Sequence, residues 1–147
     1  MAHEDTLGAV PLFSHLSSEA LGRLAKSVVP RKYPAGATIV GEGEQAVAFY
    51  VIVSGKVEVS KGGQELNTLR TGDFFGEMSL LDGRPRVATL KALDDTECLV
   101  MARWDFTAEL NTDPSIAASM LPTLSNRIRA LEEHILELEV RIRELGG

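Results

Sequence analysis

Apolar positions along this chain change their period twice. Between Val10 and about Val29, Leu21, Leu24 and Val28 recur at three- and four-residue steps, which places them on one face of a helix. Ser17 is positioned to cap that helix, with Glu19 in its first turn. A short hydroxyl side chain satisfies an exposed amide there, and an acid meets the positive end of the helix dipole. Leu16 before the cap and Leu21 at the fourth helical position are a candidate hydrophobic staple. Pro30, Pro34 and Gly36 are expected to end the segment.

From Ala35 to Met101 the repeat shortens to two. The run Ala46–Val53 is too short and too β-branched to prefer a helix, and Lys56–Ser60 alternates polar with apolar, as a half-solvated strand does. Gly62-Gly63 marks a two-residue hairpin, because both central positions of such a turn need positive φ. Thr89–Leu93 and Glu97–Met101 are expected to form another pair, turning at Asp94-Asp95. Many short strands with glycine-rich turns predict a sandwich or barrel.

Beyond Asp113-Pro114, a helix-start signal, the pattern is helical again. Pro122 lacks an amide donor and crowds the Ala118 carbonyl, so a kink or break is expected there. Leu124, Ile128, Leu131, Ile135, Leu138, Ile142 and Leu145 then alternate four- and three-residue steps. With Ile128 at position a, isoleucine fills the a sites and leucine the d sites, the choice that favours parallel two-stranded coiled coils. Arg127 is placed to meet Glu132 of a partner helix, and Glu137–Arg141 and Glu139–Arg143 are favourable pairs within one helix. The alternative is an amphipathic helix packed on its own barrel, with Leu136 and Val140, off the seam, contributing to that contact.

Composition narrows the possibilities. At 147 residues the chain is one domain's length, and 44% hydrophobic with 24% charged residues is a globular balance. A net charge of −6 gives no broad basic footprint for nucleic acid. The single cysteine, Cys98, excludes an internal disulfide and a cysteine zinc cluster. The first residues do not form a secretion signal, and no apolar run reaches the roughly 18 residues of a membrane span. A cytoplasmic location is expected. His3, His15 and His134 all lie outside the strand zone, which removes a histidine metal site or triad from a barrel. The string Gly41–Ala46 matches a dinucleotide fingerprint but leads into a strand, whereas that fingerprint must open a helix. Trp104 is expected to pack between the β layer and a helix.

The chemistry concentrates in residues 72–89. Gly76-Glu77-Met78-Ser79-Leu80-Leu81 can form one or two helical turns, whose free amides suit an anion. Arg86 follows a Gly-Arg-Pro turn that can return it over the same amides, and a guanidinium grips phosphate through paired hydrogen bonds. A phosphate would repel Glu77, so its carboxylate suits a sugar hydroxyl, which only donates to it. Together these residues describe a receptor for a ribose phosphate. The alternative is a plain surface ion pair between Glu77 and Arg86.

Phe75-Gly76-Glu77-Met78-Ser79-Leu80 followed by Pro85-Arg86-Val87-Ala88-Thr89 closely resembles both halves of the phosphate-binding cassette of the cyclic nucleotide-binding domain family. Pro11-Leu12-Phe13, Tyr33–Gly36, Glu42–Glu44, Ser54–Val57 and Gly72–Phe74 are similar to further markers of that family. The resemblance implies a mainly β jelly-roll barrel in residues 1–112 with an N-terminal helix, followed by C-terminal helices in residues 113–147, which the heptad spacing makes dimerise over 124–145. It implies that Glu77 binds the ribose 2′-hydroxyl and Arg86 the cyclic phosphate. Amides of Gly76, Ser79 and Val87 or Ala88 would complete the cradle, with Met78 between them. Val40, Val59, Leu66 and Leu69 are implied walls beside the base, and Arg127, Ile128, Leu131 and Glu132 lie where a covering lid belongs. None of the last four is serine or threonine, so the adenine-reading hydroxyls of the bacterial transcription-activator branch are absent. Members preferring cGMP often place a hydroxyl directly after the arginine; Val87 offers none, which favours cAMP.

The expected function is therefore a cyclic nucleotide sensor without cofactor, metal or catalysis, forming a parallel homodimer and coupling ligand to its C-terminal helix. The alternatives are a ligand-independent coiled-coil scaffold with a degenerate pocket, or the sensor part of a larger transcription regulator or channel. No helix-turn-helix follows the long helix before Gly146-Gly147, so DNA binding is not expected of this chain by itself, and without a long apolar run neither is membrane contact.

Overall fold

Ser17 does cap a helix: its hydroxyl accepts a hydrogen bond from the Ala20 amide at 3.2 Å. That helix, α2 (Ser18–Ala25), follows α1 (Ala2–Gly8) and a single 3₁₀ turn at Pro11–Phe13. The computed structural model describes residues 2–146; Met1 and Gly147, included in the expected domain limits, lie outside the described residues. The helical region is shorter than its spacing predicts. Val28 opens a strand, β1 (Val28–Tyr33), and Pro30 lies within it. β1 is the outer strand of its sheet, where the missing amide of proline breaks no inner ladder.

The remaining strands are β2 (Thr38–Val40), β3 (Ala48–Ser54), β4 (Lys56–Lys61), β5 (Gln64–Arg70), β6 (Phe74–Phe75), β7 (Thr89–Ala92) and β8 (Thr96–Ala102). They form two antiparallel sheets ordered β1-β8-β3-β6 and β2-β7-β4-β5, the double-sheet arrangement of a jelly roll rather than a closed barrel. Gly62 and Gly63, both with positive φ, turn β4 into β5 as expected. The expected pairing of residues 89–93 with 97–101 does not occur. β7 pairs β2 and β4, whereas β8 pairs β1 and β3. The Asp94-Asp95 turn is thus a corner between sheets.

Between the sheets lie Val40, Ala48, Tyr50, Ile52, Val57, Phe75, Leu90 and Cys98. The other face of the first sheet carries Phe49, Val51, Leu99 and Met101 against Leu7, Leu12, Phe13, Leu24, Phe106, Ile116 and Met120 from the helices. β3 is therefore buried on both faces from Ala48 to Ile52. Each large side chain so buried stabilises the fold by roughly 1.5–3 kcal/mol.

After a single turn α3 (Ser79–Asp82) come α4 (Arg103–Thr112) and α5 (Ser115–Gly146). Trp104 does not pack between layers: it is 65% exposed, and Phe106 fills that role instead. α5 is continuous through Pro122, so of the expected kink or break no break occurs. Ile116, Met120 and Leu124 anchor its first turns to the body, whereas residues 128–146 are exposed throughout. Arg23 ties α2 to the start of this unit, reaching Glu109 at 3.2 Å and Asp113 at 2.6 Å. No described helix is long and apolar enough to cross a membrane.

Candidate functional site

β6 delivers the chain to Gly76, whose φ of +83° turns it out of the sheet and into α3. A side chain is excluded there, since a Cβ would come within 2.9 Å of the Ala48 carbonyl and closer still to Arg86 Nη1. Gly83, with φ +64°, closes α3 and sends the chain back toward β7. Gln45 Nε2 donates to its carbonyl at 2.5 Å, and the Arg103 guanidinium lies against its α-carbon.

Arg86 is brought over Gly76 by this loop. Its backbone is clamped on both sides, its amide donating to the Glu44 carbonyl and its carbonyl accepting from the Gly43 amide, each at 2.8 Å. Its Nη2 donates to the Ala48 carbonyl, and its guanidinium carbon lies 5.7 Å from the centre of the Tyr50 ring. Tyr50 in turn stacks on Phe75, 4.6 Å away with planes 10° apart. Burial pulls the Arg86 pKa below its usual value, opposed by Tyr50, Glu44 and Glu77. The Tyr50 hydroxyl is pushed up by burial, against the pull of Arg86.

Glu77 does not pair with Arg86, so the plain surface pair is not formed. It accepts instead from Arg127 Nη1 of α5 at 3.1 Å, and the same nitrogen lies 3.5 Å from Met78 Sδ. A cavity of about 420 Å³ is lined by Phe75, Gly76, Glu77, Met78, Ser79, Arg86, Val87 and Ala88, among others. Both halves of the motif therefore face one hollow. A similar volume opens beside Lys32, Tyr33, Asp95 and Glu97, but no guanidinium lines it.

The other expected site residues divide. Val40, Val59 and Leu69 pack into the inter-sheet core beside Phe75, Leu90 and Ala88, whereas Leu66 is exposed and outside that cluster. Arg127 reaches the site, but Ile128, Leu131 and Glu132 are exposed on α5 and do not line the cavity. The Ser79 amide is engaged within the turn, donating to the Gly76 carbonyl at 3.0 Å. Sequence reasoning missed Ala48 and Tyr50 as partners of Arg86, and Gln45 and Arg103 as supports of the loop. The one sequence signal for Tyr50 is alternation, which puts it on the face of β3 shared with Ala48. Among the described residues no cluster of histidine, cysteine, aspartate and glutamate is arranged to hold a metal ion.

Comparison with known proteins agrees with this geometry. The profile of the cyclic nucleotide-binding domain matches residues 30–113. The chain is 40% identical over 124 residues to a cAMP-dependent protein kinase regulatory subunit of Debaryomyces hansenii, covering 84% of this chain and 27% of that protein. It is 37% identical to the cyclic AMP receptor protein of Thermus thermophilus, covering 88% of this chain and 61% of the other. The chain thus spans less than two thirds of either relative. The crystal structure of the N-terminal domain of a transcriptional regulator from Streptomyces coelicolor A3(2) superposes with a TM-score of 0.80 at 29% identity, covering 88% of this chain and 96% of that one.

Proposed function

This chain belongs to the cyclic nucleotide-binding domain family, and on that premise we propose that its cavity takes cAMP in preference to cGMP. The observation that carries the reading is convergence: Arg86 and Glu77, nine residues apart in sequence, line one cavity over the Gly76 turn. Arg86 takes the cyclic phosphate, joined by amides of Gly76 and of Val87 or Ala88. Glu77 accepts the ribose 2′-hydroxyl. Val87 brings no hydroxyl to the rim, which leaves a guanine amino group without a partner. Two relatives carry cAMP in their names, which supports the same ligand. The chain acts as a binding and regulatory module, not as an enzyme.

Coupling to α5 runs through Arg127. Its bond to Glu77 joins the carboxylate assigned to the sugar to the helix that leaves the domain. Ligand shifts that helix only in so far as it binds one helix position better than another. Ile128, Leu131, Ile135, Leu138, Ile142 and Leu145 are all exposed, and a second copy packed in parallel covers them. Leu124, already packed on the domain's own core, marks where that seam begins.

Calorimetric titration with cAMP and cGMP side by side tests the reading. Tighter binding of cAMP is expected. Arg86→Ala is expected to lose about 2–5 kcal/mol, roughly 30- to several-thousand-fold, the usual cost of removing one partner of a buried charge pair. No binding of either nucleotide, or unchanged affinity in Arg86→Ala, refutes it.

A further inference from the structure

Arg86 is half-buried, permanently charged, and in no ion pair among the described residues. It is nevertheless held. One donor is engaged by the Ala48 carbonyl, and its guanidinium lies 5.7 Å from the centre of the Tyr50 ring, within the roughly 6 Å over which an aromatic face attracts a cation. Tyr50 cannot swing away: it is buried and lies flat against Phe75.

We propose that Tyr50 is a positioning residue for the ligand's anion, holding Arg86 aimed at the cavity by contacts that carry no net charge. The proposal rests on the cavity being a nucleotide site. A carboxylate in place of Tyr50 would orient the guanidinium equally well, but it would neutralise it, and an arriving phosphate would have to displace it. A carbonyl dipole and a ring face leave the charge without an ion-pair partner, Glu44 and Glu77 acting on it only from beyond salt-bridge distance. They also leave four of the five N–H donors of an arginine open. The side chain's freedom is thereby lost during folding rather than on binding, which raises affinity without adding a contact to the ligand. Gly76 completes the arrangement, because only an absent side chain leaves room for the guanidinium between the loop and Ala48.

The test is a double-mutant cycle read by calorimetry with cAMP. Tyr50→Phe, which keeps the ring face, is expected to bind within about twofold of the parent. Tyr50→Leu is expected to weaken binding by about 2- to 30-fold, the range of a single cation–π contact. In an Arg86→Ala background, Tyr50→Leu should change nothing further. An equal loss with and without Arg86, or a loss in Tyr50→Phe matching that in Tyr50→Leu, overturns the proposal. Should Tyr50→Leu fail to fold, Tyr50→Met repeats the test without a ring. If the parent binds no cyclic nucleotide, the ligand reading fails separately, and the order of the Arg86 Nε–H vector from NMR relaxation decides the role of Tyr50. High order is expected in the parent and Tyr50→Phe but lower order in Tyr50→Leu; equal order in all three overturns it.

Discussion

Replacing Gly76 with alanine places a methyl group where the Arg86 guanidinium now lies. Two costs combine. The φ of +83° is a conformation that an L side chain enters at about 1–2 kcal/mol. The added Cβ also sits 2.9 Å from the Ala48 carbonyl, which belongs to the central strand β3 and cannot retreat cheaply. Overpacking of this kind costs about 1–3 kcal/mol. Together they give about 2–5 kcal/mol against a total of about 5–15 for a folded domain, a fall in Tm of about 4–20 °C for a chain of this size. Affinity should suffer as well, by tenfold or more, because Arg86 must leave its seat. Gly55→Ala is the control. Its φ is +115° and its Cβ would come within 2.7 Å of the Thr96 backbone, at a corner away from the cavity lining. Thermal unfolding and calorimetry on both variants should show comparable loss of Tm but loss of cAMP affinity in Gly76→Ala alone. Parental affinity in a folded Gly76→Ala protein would refute the placement of Arg86.

Three further outcomes follow from the geometry. Glu77→Gln should weaken cAMP binding and discriminate less against the 2′-deoxy nucleotide; equal discrimination in mutant and parent removes the hydroxyl assignment. Ile135→Asp should convert a dimer to a monomer in sedimentation, and a persisting dimer places the contact elsewhere. Burial pushes the Cys98 thiol up to about 11 and the Tyr33 hydroxyl up to about 12. Both folded values lie above the unfolded ones, so this stability is complete below about pH 9 and is lost as pH rises through 11 to 12. Tm should be flat from pH 7 to 8.5 and fall above that; a level profile to pH 11.5 contradicts it.

Local signals were the legible part of this fold. The Ser17 cap, the Gly62-Gly63 hairpin and the two cassette halves depend on neighbours a few residues away, and each is where its residue types put it. Val28 misled because its spacing from Leu21 and Leu24 fits a helix while its burial comes from strand β1. Pro30 reads as a helix terminator, yet an outer strand accommodates it. The Asp94-Asp95 corner cannot be told from a hairpin by composition, since either needs polar turn residues; only sheet membership separates them. At the site, the glutamate and arginine were legible because their chemistry is specific. Arg127 was placed near the lid, but its bond to Glu77 spans fifty positions in sequence. Ala48 contributes only a carbonyl, which leaves no trace in residue type.

The double burial of β3 sets where this chain tolerates changes of length. One residue inserted between Ala48 and Ile52 would swap Phe49 and Val51 with Tyr50 and Ile52, since the side chains of a strand alternate. The helical layer and the inter-sheet layer would both lose their fillings at once, and the carbonyl that seats Arg86 would be displaced. Insertions and deletions are therefore expected to be accommodated in surface segments such as the Gly62-Gly63 turn, where added side chains meet open space.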